Sequence, residues 1–351
     1  MVSRRAYDFS AIGVRRAPLL VVIGSDAEAG ERGRGGFRMA GNSDIHQLIP
    51  KTVPFDQLNL GRQFLKAHDR PDPERYDCVL NLVTDPDQHP RTLERLRKLL
   101  RPYHGRVINR PEAVLRTSRD QVARRLAGID GLRVPRVLRL RNPRPGGASA
   151  AVARAGLPFP LIARLAGTHT GQIIGLVEGA GPLDAACAGP GEFILTEFVD
   201  FASEDGLYRK YRLWSFGGRA ILKQAIVSDR WNIHNSDRAR VMRDRPDLIA
   251  EEQRLLERPE GAFPEPIHAM FRQVQQRMGL DFFGMDFGID KSGQAVLFEA
   301  NATMSFLVAA ADPRFDYLDQ AVGPASDAFA RMLLPDRLAT SPAVVQLPQG
   351  G

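Results

Sequence analysis

Apolar residues along this chain fall into short blocks separated by polar punctuation, and the spacing inside each block predicts its element. Residues 19–23 are an unbroken aliphatic run that stops at Gly24, the pattern of a strand buried on both faces. Residues 76–83 and the pair Val107-Ile108 read the same way. Between them Leu93, Leu96, Leu99 and Leu100 recur at helical spacing. Strand, helix and strand with short links predict a small parallel α/β domain. A second helix is expected from Thr117, with Thr117 as its cap, Asp120 three residues on, Val122 and Leu126 on its apolar stripe and Gly128 at its end. Residues 158–165 and 172–177 read as antiparallel strands about a tight turn at 166–171. Further strands are expected at 193–199, 207–216 and 219–227, the last two joined by Gly217-Gly218. Helices are expected at 246–257, 264–278 and 316–333.

The most informative pattern lies at 282–301. Two β-prone runs, 282–289 and 295–298, flank Asp290-Lys291-Ser292-Gly293, which is turn chemistry. Folding about that turn sets Phe287 against Val296 and Asp286 against Leu297. Because one face recurs every two residues, Asp286 then shares a face with Leu297, Glu299 and Asn301. Any even-length loop keeps this parity, and a one-residue slip destroys it. Two carboxylates and a carboxamide converging in this way suit Mg²⁺, which takes one or two carboxylates and completes its shell with water and phosphate oxygens. A strand end with solvated acids is the plainer alternative for any one of them.

Composition narrows the class. The chain has 351 residues, 43% hydrophobic and 25% charged, which suits two or three lobes of an ordinary globular protein. No apolar run reaches the roughly 18 to 20 residues of a membrane span, and none near the start resembles a secretory signal, so no membrane partner and a cytoplasmic location are expected. Cys78 and Cys187 are far apart and read as small buried hydrophobes. The net charge of +7 is spread along the chain without a dense basic run, which argues against nucleic acid as a partner. Only six of the 48 basic residues are lysine. Residues 1–17 read as a loose arm, 26–44 as a glycine-rich surface loop without P-loop spacing, and 336–351 as a disordered tail.

Chemistry gathers in three further places. Gly167-Thr168-His169-Thr170-Gly171 can bring backbone N–H groups close to an anion, and Arg164 emerges from the apolar strand just before it. Glu197-Phe198-Val199 leads into the acid-rich segment 200–206, where backbone groups could meet a purine edge and an acid the ribose hydroxyls. Lys210 and Arg212 share a strand face, with Lys223 on the paired strand and Arg230, Trp231, Asn232 and His234 beyond, a candidate cationic wall for phosphate oxygens. Each of these has a structural alternative as a solvated or partly buried charge. No Ser-His-Asp or Cys-His arrangement follows from the spacing, so the chemistry expected is electrostatic.

The order of these features resembles the ATP-grasp superfamily, and within it the glutathione synthetase and RimK-type ligases. The resemblance covers about residues 70–310. It runs through Val107-Ile108-Asn109 with Pro111, the helix from Thr117, Val134-Pro135, residues 159–164 with the glycine loop, Glu197-Phe198-Val199, Lys210-Tyr211-Arg212, Gly284-Met285-Asp286 and Phe298-Glu299-Ala300-Asn301. It implies an α/β and α+β ATP-grasp fold: a parallel domain at 18–109, a central lid lobe at 110–190 and a C-terminal lobe at 191–335, the two lobes sandwiching a nucleotide. By the family pattern, Asp286, Glu299 and Asn301 would hold two Mg²⁺ ions on ATP, with Mn²⁺ as an alternative ion. Glu197, Phe198 and Val199 would line the adenine, Glu204 or Asp205 would reach the ribose, and Arg212 would stabilise the transferred phosphoryl group. Arg119 and Arg164 stand where the family usually has lysine, Lys210 where it often has aspartate, and Ala302-Thr303-Met304 where peptide-forming relatives have Pro-Gly. Arginine keeps the charge but binds in a forked geometry. The leading expectation is an ADP-forming ligase joining a small-molecule or peptide carboxylate to an amine acceptor through an acyl phosphate. An ATP-grasp kinase and a nucleotide-binding protein without turnover stay open, as does homo-oligomerisation.

Overall fold

A computed structural model of the protein describes residues 2–3, 17–27, 40–51, 53–61, 72–167, 173–306 and 312–333. The N-terminal layer comprises β1 (Val2–Ser3), β2 (Ala17–Ile23), β3 (Phe55–Asn59), β4 (Tyr76–Asn81), α1 (Pro90–Leu99) and β5 (Arg106–Ile108). Its sheet has the order β1-β3-β2-β4-β5, with β2, β3, β4 and β5 parallel and β1 antiparallel at the edge. The aliphatic run on β2 is fully buried because both faces are covered. Leu20 and Val22 pack with Leu96 and Leu100 near α1, and Val21 and Ile23 join the core shared with the rest of the chain. Asp26, distant in sequence, accepts from the Arg91 and Thr92 N–H groups (2.8 and 2.7 Å) and so satisfies the start of α1. Val2–Ser3 pair with β3, where a loose arm was expected. The remainder of that arm, residues 28–39 of the glycine-rich loop and the C-terminal tail lie outside the described residues.

Next come α2 (Pro111–Val114), α3 (Arg119–Leu126), β6 (Leu132–Arg133), β7 (Val137–Arg141), α4 (Gly147–Ala155), β8 (Leu161–Leu165), β9 (Gly175–Val177), α5 (Ala180–Ala186) and β10 (Glu192–Glu197). The residue at the start of α3 is Ser118; the Thr117 hydroxyl instead donates to the Val114 carbonyl (2.7 Å). Strands β7, β10, β8 and β9 form an antiparallel sheet in that order, backed by α4 and α5 around Val152, Leu183 and Leu195.

The last layer comprises β11 (Tyr208–Phe216), β12 (Arg219–Ser228), α6 (Pro246–Glu257), α7 (Glu265–Met278), β13 (Phe282–Ile289), β14 (Ala295–Asn301) and α8 (Val322–Leu333). Its sheet order is β12-β11-β13-β14-β6, so Leu132–Arg133, from the segment expected in the central lobe, pair with the hairpin strand β14. Trp214, Phe216, Phe306 and Phe329 form a buried aromatic cluster with centroid separations of 5.4 to 6.0 Å. Such pairs contribute about 0.5 to 1.5 kcal/mol each beyond area burial, which gives the sheet a stiff backing. Among the described residues no helix is long and apolar enough to cross a membrane.

Asn109 ties the first layer to the last. Its φ of 53° lies in the left-handed region that asparagine tolerates. Its amide donates to the Phe282 carbonyl (2.9 Å), and its side-chain oxygen accepts from the Asp281 and Phe282 N–H groups (2.7 and 3.2 Å). Its own N–H donates to Asp281 Oδ2 (2.6 Å). Asn109→Ala removes three side-chain bonds at a buried position and puts a residue that disfavours the left-handed region where asparagine tolerates it. It should cost about 2–4 kcal/mol, read as a lowered midpoint in thermal or urea unfolding, and Asn109→Gly should recover only the backbone part.

Candidate active site

The floor of the site is the β13–β14 hairpin, and its register differs from the simplest reading of the sequence. The loop has five residues, Asp290 to Gln294, because Ile289 pairs with Ala295. Asp290 accepts from the Ser292 and Gln294 N–H groups (2.9 and 3.0 Å), and Gly293 takes the positive φ of 82° that closes the turn. An odd loop shifts the register by one, pairing Phe287 with Leu297 in place of Val296. A bulge at Phe298 then inserts one residue and shifts it again. Asp286 consequently lies directly opposite Glu299, and Gly284 opposite Asn301. The two carboxylates share a face through two compensating shifts.

Each polar group on this floor already has partners. Arg212 on β11, itself paired with Asp286 in the sheet, donates Nε and Nη2 to the two Asp286 oxygens (2.6 and 2.7 Å) and Nη1 to the Ser305 carbonyl (3.1 Å). Lys210 Nζ stands 4.0 Å from Asp286 and donates to the Ile233 carbonyl (2.7 Å). Arg119 on α3 contacts Glu299 (3.0 Å) and donates to the Phe298 carbonyl (2.6 Å). Asn301 donates to Glu299, while its oxygen accepts from the Thr303 and Met304 N–H groups (2.9 Å each). That oxygen is therefore spent on holding the 303–304 turn.

Electrostatics follow from burial. Burial disfavours the Arg212 charge, but the Asp286 carboxylate outweighs it and holds the guanidinium charged above its ordinary range. Burial pushes the Lys210 ammonium down, against the pull of Asp286. Arg164 on β8 is pushed down to about 9 by burial and then by the like charge of Arg119, and its Nε has no hydrogen-bond partner among the described residues.

Above the floor lies a cleft of about 910 Å³, lined among others by Arg119, Ile162, Arg164, Lys210, Arg212, Trp231, Asp286, Phe298 and Glu299. This is near the upper end of the range for ligand pockets, roughly 300–1,000 Å³. Phe198 and Val199 line the same cleft, with Phe198 edge-on to Trp231 at 5.4 Å. Glu197 lines it too, but its carboxylate is held by Arg133 Nη2 (2.6 Å) and the Arg136 N–H (3.0 Å). Asn232 and His234 join the wall as expected. Thr168, His169, Thr170 and Gly171 fall outside the described residues; Gly167 beside them accepts from Gln88 Nε2 (2.7 Å).

Four expected site residues lie elsewhere. Lys223 is the bulged residue of β12, because Arg212 pairs with Gln224 and Leu213 with Leu222. The bulge turns it away from the wall: it is 2% exposed, donates to the Leu318 carbonyl (2.9 Å) and sits over the Phe306 ring. Arg230 is exposed beside Asp229 at 3.9 Å and does not line the cleft. Glu204 and Asp205 sit on an exposed turn outside it, with Asp205 held by Arg209 (3.0 and 2.9 Å).

Sequence reasoning missed the N-terminal edge of the site. Ala40, Gly41 and Asn42 line the cleft, and Asp44 accepts from the Phe306 N–H (3.1 Å) beyond it. It also missed Arg139 on β7, which joins Asp87 of the first layer (2.9 and 3.0 Å), Asp120 of α3 (2.9 Å) and Glu192 of β10 (2.8 Å). A lone arginine on a strand carries no signal for so distributed a contact.

The fold of the chain resembles solved structures. D-alanyl-alanine synthetase A from Vibrio cholerae O1 biovar eltor superposes with a TM-score of 0.52 at 11% identity, over 93% of this chain and 100% of that one. A RimK domain ATP-grasp protein from Sphaerobacter thermophilus gives 0.49 at 14% identity, over 91% and 100%. The VanG D-Ala:D-Ser ligase from Enterococcus faecalis gives 0.48 at 14%, over 88% and 99%. No family model matches the sequence, and no curated protein does. The chain has the ATP-grasp fold.

The floor depends on tight packing beneath it. A Cβ added to Gly288 would sit 2.5 Å from the Phe201 ring and 2.8 Å from the Phe298 ring, and these two rings pack at 4.5 Å. Gly288→Ala should therefore destabilise the protein by about 1–3 kcal/mol through overpacking against the bulged residue, measured as a lower unfolding midpoint.

Proposed function

We propose that this protein is an ADP-forming carboxylate–amine ligase that uses magnesium-bound ATP. The observation that carries the reading is the direct opposition of Asp286 and Glu299 on the floor of a cleft whose walls present Arg164, Lys210 and Arg212. Among the described residues, no three His, Cys, Asp or Glu side chains converge as a complete protein cage for a metal. Two opposed carboxylates do fit an ion that draws its remaining oxygens from water and phosphates. The fold supports the same reading, since the solved D-alanyl-alanine synthetase A shares it.

A magnesium ion bound here would supply positive charge to offset that of the phosphates. Asp286 and Glu299 would hold it, with Asn301 orienting Glu299. The adenine would lie between Ile162 and Leu297 near the segment Glu197 to Val199; because the Phe198 N–H already donates to the Pro160 carbonyl (3.1 Å), the Val199 N–H is the donor left for its edge. Arg164, Arg119 and Arg212 would receive the phosphates. A substrate carboxylate oxygen would then attack the γ-phosphorus, forming a C–O–P linkage as the bond to ADP breaks. The amine nitrogen would attack the acyl carbon, phosphate would leave with the bonding pair, and the nitrogen would lose a proton. Lys210 and Arg212 would face the transferred group as charge develops on it, and a fixed cation there stabilises the transition state more than the ground state.

The test is ADP release from Mg²⁺-ATP against a panel of carboxylates and amines. Turnover is expected with at least one acid and amine together, and Glu299→Gln should lower it by about 100-fold or more. ADP release without any amine, with a phosphorylated product that persists, would indicate a kinase. Lys223→Met should keep nucleotide affinity within about two-fold of wild type, since its ammonium is buried against a carbonyl away from the cleft.

A further inference from the structure

The described cleft carries more cation than acid, and both of its floor acids are already taken. Four cationic side chains line it, Arg119, Arg164, Lys210 and Arg212, against two carboxylates, Asp286 and Glu299; the third, Glu197, is neutralised by Arg133. Arg212 covers both oxygens of Asp286, and Arg119 covers one oxygen of Glu299. Of the four cations, Arg164 alone makes no hydrogen bond among the described residues, and its Nε is buried.

We propose that Arg212 and Arg119 act as internal counter-ions that occupy the floor carboxylates until a polyphosphate enters. On this account divalent cation and nucleotide load the site as a coupled pair. The proposal rests on the reading of Asp286 and Glu299 as the metal-holding groups. A divalent cation alone would have to displace two guanidinium groups and add charge to a cleft with a surplus of two positive charges, which a low-dielectric site penalises. A triphosphate brings about four negative charges and gives the guanidinium groups new oxygens, first at Arg164 and then at Arg119 and Arg212. As the forks turn to phosphate, Asp286 and Glu299 are released. One divalent cation then closes the charge balance at zero. The coupling is reciprocal: whatever nucleotide does for metal affinity, metal does for nucleotide affinity. Lysine at position 212 could not mask Asp286 in this way, because a single ammonium covers one oxygen where the fork covers two.

The experiment uses the full-length protein and has no catalytic readout. Mn²⁺ is titrated alone and followed by the electron paramagnetic resonance of the free ion, for wild type, Arg212→Lys and Arg119→Lys. Both variants keep the charge; the first loses the fork on Asp286 and the second loses the guanidinium that spans Glu299 and the Phe298 carbonyl, so a general change of field does not explain a difference. Each should bind Mn²⁺ about tenfold more tightly than wild type, and either variant suffices if the other fails to fold. In parallel, calorimetry with a non-hydrolysable ATP analogue in excess EDTA should show binding by wild type and about tenfold weaker binding by Arg164→Met. Tight Mn²⁺ binding by wild type alone, equal to that of both lysine variants, overturns the counter-ion proposal. If the analogue still binds with Mn²⁺ in that case, the proposed function stands. If the analogue binds neither with nor without Mn²⁺, both readings fall.

Discussion

A single inserted residue, Phe298, sets which side chains oppose one another on the floor of the cleft. The five-residue hairpin loop alone would put Asp286 opposite Phe298 and leave the two floor acids on opposite faces. The bulge restores their opposition, and its ring is held by Phe201 over the bare Cα of Gly288. Arg119 reaches across from α3 to bond the carbonyl of that same bulged residue. Backbone irregularity, side-chain packing and charge pairing thus converge at one position. Bulges are known as devices that re-aim side chains beside functional sites.

Around that floor the three layers are tied by polar contacts that would mean little singly. Asn109 stitches the first layer to β13, Arg139 joins Asp87, Asp120 and Glu192, and Gln88 bonds the carbonyl of Gly167. Arg139 is 13% exposed at its side chain, so its three ion pairs are screened far less than surface pairs, whose usual worth is below 1 kcal/mol. Burial disfavours the charge on Asp87 and pushes its carboxyl up despite Arg139, while Asp120 is held below its usual range. The strand carrying Arg164 therefore belongs to a layer fixed on two sides.

Much of this was legible in the sequence because its signals are local. The aliphatic runs of β2 and β4 and the leucine spacing of α1 each encode their own element. Asp286 and Glu299 could be placed on one face by strand parity alone, although the assumed loop length was wrong and two shifts had to cancel. Where the sequence misled, the cause was an unseen bulge or an unseen partner. Lys223 was expected beside Arg212 from simple alternation, and an extra residue in β12 sent it into the core. Glu204 and Asp205 look like ribose acids in the sequence, yet Arg209 claims Asp205 on an exposed turn. The helices α4 and α5 carry alanine, glycine and proline in place of large apolar residues, so their periodicity is weak until the sheet they cover is known. The arginine partners of Asp286 and Glu299 lie 74 and 180 residues away in sequence, a separation for which no local pattern exists.

The central claim is that Asp286 and Glu299 form the metal-bearing floor of a nucleotide site. A crystal structure grown with Mn²⁺ and a non-hydrolysable ATP analogue tests it most directly, through the anomalous signal of manganese. The account predicts a peak within roughly 2.2 Å of an oxygen of Asp286 or Glu299, with Arg212 turned from Asp286 toward the phosphates. A nucleotide bound with manganese elsewhere, and the Arg212–Asp286 fork still closed, would contradict it.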